Sequence, residues 1–108
     1  MIKVERGAIY MAYLDPVVGR EQRGRRPVVV ISPSEIQDNL DRAIVVPFTT
    51  QKKDYPTYWS YKLKGKTSYA MLDQIRTLDL KRLQNKVTEL SSVELARLLA
   101  RVQELFAV

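Results

Sequence analysis

Two short runs of branched apolar residues, Val28-Val29-Val30-Ile31 and Ala43-Ile44-Val45-Val46, are each bounded by proline and contain no polar position. Continuous apolar runs of this length predict strands covered on both faces. Ala8-Ile9-Tyr10-Met11-Ala12-Tyr13-Leu14 is rich in strand formers and stops at Asp15-Pro16, which predicts an earlier strand and a turn. Trp59 to Lys64 alternates with period two, so Trp59, Tyr61 and Leu63 face a core while Lys62 and Lys64 face water, and Gly65-Lys66 turns the chain. Tyr69 to Leu72 and Gln74 to Leu78 predict further short strands, or one strand bent at Asp73. Single helical turns are expected at Ser34 to Gln37 and at Leu80 to Leu83. The last element carries the clearest signal. Ser91 and Glu94 form a capping box, and Leu95, Leu98, Leu99, Val102 and Phe106 recur at helical spacing, predicting a helix from Ser92 to Phe106. Its polar face, Glu94, Arg97, Arg101 and Glu104, reads as a solvated one. Short strands closed by one helix describe a mainly β, α+β chain: a small barrel or strongly bent sheet with a C-terminal helix packed on it.

Length narrows this to one domain over residues 1–108. The chain has no Cys and no His, which excludes disulfides, Cys/His zinc sites, thiol nucleophiles and imidazole chemistry. No apolar stretch reaches the roughly 18 residues of a membrane span, and Met1 to Arg6 lacks a signal-peptide core, so a cytoplasmic protein without a membrane partner is expected. The net charge of +6 is unevenly placed: residues 20–86 hold fourteen Lys/Arg against seven Asp/Glu, while both ends are near neutral. Such a patch points to a polyanionic partner.

Candidate chemistry concentrates in two segments. Gly19-Arg20-Glu21-Gln22-Arg23-Gly24-Arg25-Arg26-Pro27 sets four arginines against one carboxylate within seven residues. Close like charges repel by about 1 kcal/mol per pair even in water, so this loop favours anions, and guanidinium suits phosphodiesters. A solvated basic loop is the alternative reading. The second segment, Pro47 to Trp59, places Thr49 and Thr50 at a strand end, then Lys52 and Lys53, then Tyr55 and Tyr58. That order suits a groove where cations meet backbone phosphates and bases stack on rings. Trp59 and Tyr61 are already assigned to the core, which leaves Tyr55 and Tyr58 as the stacking candidates.

These segments, together with Ile31-Ser32-Pro33, Val46-Pro47-Phe48-Thr49-Thr50 and Leu72-Asp73-Gln74-Ile75-Arg76-Thr77-Leu78-Asp79, make the chain similar, over nearly its whole length, to the MazF/PemK family of toxin endoribonucleases. The resemblance implies an SH3-like β-barrel with a C-terminal helix, a homodimer, sequence-specific cleavage of single-stranded RNA without a cofactor or metal, and an antitoxin whose acidic, disordered tail occupies the basic groove. It makes Arg26 the catalytic arginine and Thr49 its partner. Glu21 becomes the candidate base, Gln22 a loop contact, and Asp73 and Gln74 a further RNA-contacting pair. Arg20, Arg23, Arg25, Thr50, Lys52, Tyr55, Tyr58 and Arg76 complete the expected RNA surface. Attack of a ribose 2′-hydroxyl would leave a 2′,3′-cyclic phosphate and a 5′-hydroxyl. One branch of the family uses a histidine and an arginine where this chain has Arg20 and Met71, so that branch's acid/base assignment does not transfer. The gyrase poisons of this fold end in Trp-Gly-Ile, whereas this sequence ends Leu105-Phe106-Ala107-Val108, which argues against gyrase as a target. The rival reading from another class is a non-catalytic nucleic-acid-binding or regulatory barrel. A purely structural interaction module leaves the clustered arginines unexplained.

Overall fold

The computed structural model describes residues 3–14, 24–52 and 54–107. In chain order its elements are β1 (Ala8–Tyr13), β2 (Arg25–Val30), α1 (Ser34–Leu40), β3 (Arg42–Thr49), β4 (Tyr58–Leu63), β5 (Lys66–Met71), a 3₁₀ turn (Leu72–Gln74), β6 (Arg76–Asp79), a second 3₁₀ turn (Leu80–Arg82), β7 (Leu83–Glu89) and α2 (Ser92–Phe106). All recorded pairings are antiparallel, in the order β4-β5-β3-β2-β1-β7, with β6 also paired to β3. The sheet curls into a half-barrel, and α2 packs on one side of it, as the hydrophobic pattern predicted.

The two valine-rich runs are central because each serves two cores. Val28, Val30, Ala43 and Val45 join Val4, Ala8, Tyr10, Ala12, Leu14 and Leu78 in one cluster. The alternate residues Val29 and Val46 join Ile9, Phe48, Ala70 and Leu98 in another. Side chains alternate across a strand, so a strand buried on both faces has no polar positions. The second cluster lies under α2, which sets Leu95, Leu98, Leu99, Val102 and Leu105 on it. The first lies on the helix-free face. On β4, Trp59 and Tyr61 stack with ring centroids 5.6 Å apart and pack with Leu63 on the second cluster, as alternation predicted.

Local chemistry explains the boundaries. The Ser91 side chain accepts from the Glu94 amide and the Glu94 carboxylate accepts from the Ser91 amide, so the capping box forms at the N-terminus of α2. Gly7 has φ +88°, and a Cβ there would sit 3.2 Å from Leu95 Cδ2; β1 can pass this close under α2 because the residue has no side chain. Between β2 and α1, Ser32 Oγ donates to Gln37 Oε1 and accepts from the Ile44 amide, while Gln37 Nε2 donates to the Ser32 carbonyl. That closed network lets two polar residues be buried beside the sheet.

Three details differ from the sequence expectation. The β4–β5 turn is Lys64-Gly65, both with positive φ, which makes a two-residue tip whose twist matches the flanking strands. Phe106 is 64% exposed, and Leu105 takes the core position, because the helical stripe has drifted by one residue at its last turn. β7 was not anticipated. Gln84-Asn85-Lys86 has no apolar alternation, and the strand forms by adding to the edge of β1 with two register shifts.

Candidate nucleic-acid interface

The β2–β3 register runs toward Arg26 and Thr49. In the β2–β3 ladder the partners are Val30↔Val45, Val29↔Val46 and Val28↔Pro47. Two further steps along the same register set Arg26 opposite Thr49. Alternation puts Arg26 with Val28 and Val30, and Thr49 with Val45 and Pro47, so both belong to the helix-free face. The recorded ladder stops before reaching them, and proline is the cause. Ile31 donates its amide to the Ile44 carbonyl, so the hydrogen-bonding positions of β2 toward β3 are 31, 29 and 27. Position 27 is proline and has no N–H to give. From there β2 remains paired to β1, through Met11↔Pro27, Ala12↔Arg26 and Tyr13↔Arg25, while β3 continues to β5 through Phe48↔Ala70 and Thr49↔Tyr69. The strands part, and Arg26 and Thr49 stand on either side of the opening.

Pro47 plays the complementary part on the other edge of β3. There the positions that would hydrogen-bond are the odd ones, and the neighbouring strand is interrupted between β6, ending its pairing at Val45↔Arg76, and β5, starting at Phe48↔Ala70. A missing donor at 47 coincides with that interruption, which the 3₁₀ turn Leu72–Gln74 fills. Asp73 and Gln74 are thereby carried on a turn beside the opening, Asp73 exposed and Gln74 half-buried.

The Thr49 side chain is 7% exposed, and its Oγ1 accepts from the Gln51 amide at 3.2 Å. Accepting on one lone pair leaves the O–H as the donor this hydroxyl can offer. Arg26 is half-buried. Tyr69, the partner of Thr49 and of Ser60, shares this face; the sequence alone had not singled it out, because only the β3–β5 register makes it a neighbour. Tyr58 follows on the row through Met71. Its ring meets that of exposed Tyr55 edge-on at 5.9 Å. Burial, then the Asp73 carboxylate, then Tyr55 hold the Tyr58 phenol above its usual value of 10.0, so the ring stays neutral around pH 7. Asp73, Tyr58 and Tyr55 therefore form one cluster beside the opening. Thr50 and Lys52 follow Thr49 and are exposed.

Two arginines from the expected surface are engaged elsewhere in the chain. Arg25, adjacent to Arg26 on a strand, points to the other face and donates from Nε to Gln84 Oε1 at 2.5 Å and from Nη2 to Asn85 Oδ1 at 3.1 Å. Arg76 Nη1 donates to the Leu14 carbonyl at 3.2 Å. Arg20, Glu21, Gln22 and Arg23 lie outside the described residues. They connect Leu14 and Gly24, which are joined by a hydrogen bond from the Leu14 amide to the Gly24 carbonyl at 2.9 Å. Among the described residues no group of three or more Asp and Glu is arranged to hold a metal ion.

The sequence profile described as PemK-like, MazF-like toxin of type II toxin-antitoxin system matches residues 5–106. The MazF structure from Deinococcus radiodurans superposes with a TM-score of 0.87 at 25% identity, covering 100% of both chains. A MazE–MazF complex from the same organism matches at 0.79 and 21% identity, covering 100% of this chain and 99% of that one. An endoribonuclease in complex with its cognate antitoxin from a mycobacterial species matches at 0.78 and 20% identity, covering 94% and 92%. A curled antiparallel sheet with a C-terminal helix, matched from one end to the other, places this chain in the family of PemK-like, MazF-like toxins of type II toxin–antitoxin systems.

Proposed function

We propose that this toxin is an endoribonuclease that cuts single-stranded RNA by 2′-hydroxyl attack, without a metal or cofactor. The reading is carried by the β2–β3 register, which, continued two steps past Val28↔Pro47, sets Arg26 opposite Thr49 on one face of the sheet. In-line attack on a phosphodiester builds negative charge on the non-bridging oxygens, and a permanently charged guanidinium beside a hydroxyl donor stabilises it. Arg26 takes the first role and Thr49 the second. Proton removal from the 2′-hydroxyl falls to Glu21. With no histidine in the chain, the usual imidazole acid/base pair has no counterpart. The Tyr55–Tyr58 pair offers ring faces to bases, and Gln22, Asp73 and Gln74 offer polar contacts to them. The aligned mycobacterial structure, an endoribonuclease bound to its antitoxin, supports the activity, and with the MazE–MazF complex supports an antitoxin partner. An acidic antitoxin tail complements the same basic segment. A cytoplasmic homodimer completes the proposal as the resemblance implied it.

The deciding experiment incubates the purified protein with a long single-stranded RNA in EDTA and maps the ends produced. Fragments carrying 2′,3′-cyclic phosphate and 5′-hydroxyl ends are expected. RNA that is bound but remains intact would establish the binding barrel in its place.

A further inference from the structure

We propose that Arg76 is a positioning residue that ties the strand carrying Arg26 to the strand carrying Thr49, rather than a ligand for RNA phosphate; this rests on the ribonuclease reading above. Beyond Val28, the start of β2 has β1 as its recorded ladder neighbour. Arg26 pairs there with Ala12, and strand ends are among the segments that open most easily. The end of β1 is itself held at two consecutive carbonyls. Leu14 is fully buried, its amide donates to the Gly24 carbonyl, and its carbonyl accepts from Arg76 Nη1 at 3.2 Å. One residue earlier, the Tyr13 carbonyl accepts from Arg82 Nη1 at 3.4 Å.

Arg76 belongs to β6, where it is the partner of Val45 on β3 and lies on the face shared by Arg26 and Thr49. Its hydrogen bond to Leu14 spans 62 residues of sequence and joins β6 to the residue that follows β1. One side chain thus links β6, which pairs with the strand that ends in Thr49, to the end of β1, which pairs with Arg26. A guanidinium suits the task because it is long, planar and permanently charged, and its bond to a carbonyl is charge-assisted.

Three readouts on Arg76→Met test this. Exchange of the Leu14 amide should rise by about tenfold or more while the β3 amides keep their protection, as expected of local opening. Cleavage should lose about 10²-fold in kcat with KM within about twofold, because a small misplacement of reacting groups costs about that much. Affinity for single-stranded DNA of mixed sequence, which lacks the attacking hydroxyl, should keep its salt dependence. A residue bound to phosphate would instead reduce the slope of log K against log salt by about 0.7. That reduction with Leu14 protection unchanged would overturn the proposal, as would exchange that rises equally throughout the chain. If the Met variant does not fold, Arg76→Gln, two bonds too short to reach Leu14, is read the same way. The exchange measurement needs no turnover, so it decides this role even if the unaltered protein leaves RNA intact.

Discussion

Thr49 shows how little chemistry a residue needs once the backbone has placed it. Its hydroxyl accepts from the Gln51 amide, so the oxygen is oriented before any RNA arrives. Thr49→Val keeps the shape and the branched β-carbon but removes the donor. Cleavage is expected to fall by about 10²-fold or more, the usual cost of losing one donor to a developing oxyanion. The thermal midpoint should change little, since the exposed Gln51 amide can turn to water. Single-turnover kinetics beside a melting curve checks both. Tyr58 is the residue whose environment shifts a proton equilibrium. Burial and the Asp73 carboxylate disfavour its phenolate, and burial with Glu94 does the same for Tyr61. A raised phenol value means that the folded state holds the proton more tightly than the unfolded chain. The associated stability is present below about pH 10 and is lost as pH climbs through the folded-state value. In ultraviolet titration, Tyr58→Phe should remove a high component seen in the parent protein and Asp73→Asn should lower one. A titration unchanged by Asp73→Asn would break the link between the two side chains.

The β2–β3 pair shows what an element does that its residues do not. Four consecutive apolar residues announced each strand, and flanking prolines marked where each run stopped. Pro27 and Pro47 lie inside the longer strands, and their effect is on hydrogen bonding, while Pro33 stands at the start of α1. Pro27 withholds the donor that would extend the ladder toward Arg26 and Thr49. Pro27→Ala supplies it. One added hydrogen bond contributes about 1 kcal/mol, and the looser unfolded chain offsets about 0.4–1 kcal/mol of that, so the melting temperature should stay within about 4 °C. Cleavage should nevertheless drop by about tenfold or more as the strands draw together over the opening. A Pro27→Ala protein as active as the parent would show that the separation is incidental. The central strands and α2 were legible because branched apolar runs and a capping box are local signals. β7 was not, because Gln84, Asn85 and Lys86 form a strand only when the β1 edge is there to receive them. Likewise Arg26 and Thr49 stood out as residue types at expected motif positions. Their facing each other depends on a register that no local pattern encodes. By sequence pattern Arg25 and Arg26 belong to the loop before the strand; β2 instead begins at Arg25, so alternation separates the two, and the contacts to Gln84 and Asn85 say what Arg25 does.

At the scale of the whole molecule, two clusters share the β2 and β3 backbones, so the helix and the sheet stand or fall together. Leu98, on the inner side of α2, is fully buried, and Leu98→Ala should cost about 2–5 kcal/mol. Phe106→Ser, at a position the helical spacing alone would rank alongside it, should cost no more than about 0.5 kcal/mol because that ring faces solvent. Urea unfolding of the two variants makes the comparison, and equal losses would mean that the last turn of α2 packs differently. The composition indicated a polyanionic partner from the surplus of cations in residues 20–86, and the fold collects Arg26, Thr49, Tyr58 and Asp73 on and beside one face. The Lys64-Gly65 tip lies at the opposite end of the β4–β5 hairpin from Tyr58, roughly 20 Å along the strand at the usual rise per residue. A side chain added at Gly65 would meet no heavy atom within 4 Å. Because the chain contains no cysteine, Lys64→Cys would create its sole thiol at that outlying bend, giving a fluorophore or surface tether an attachment point from which single toxin molecules can be watched while substrate comes and goes.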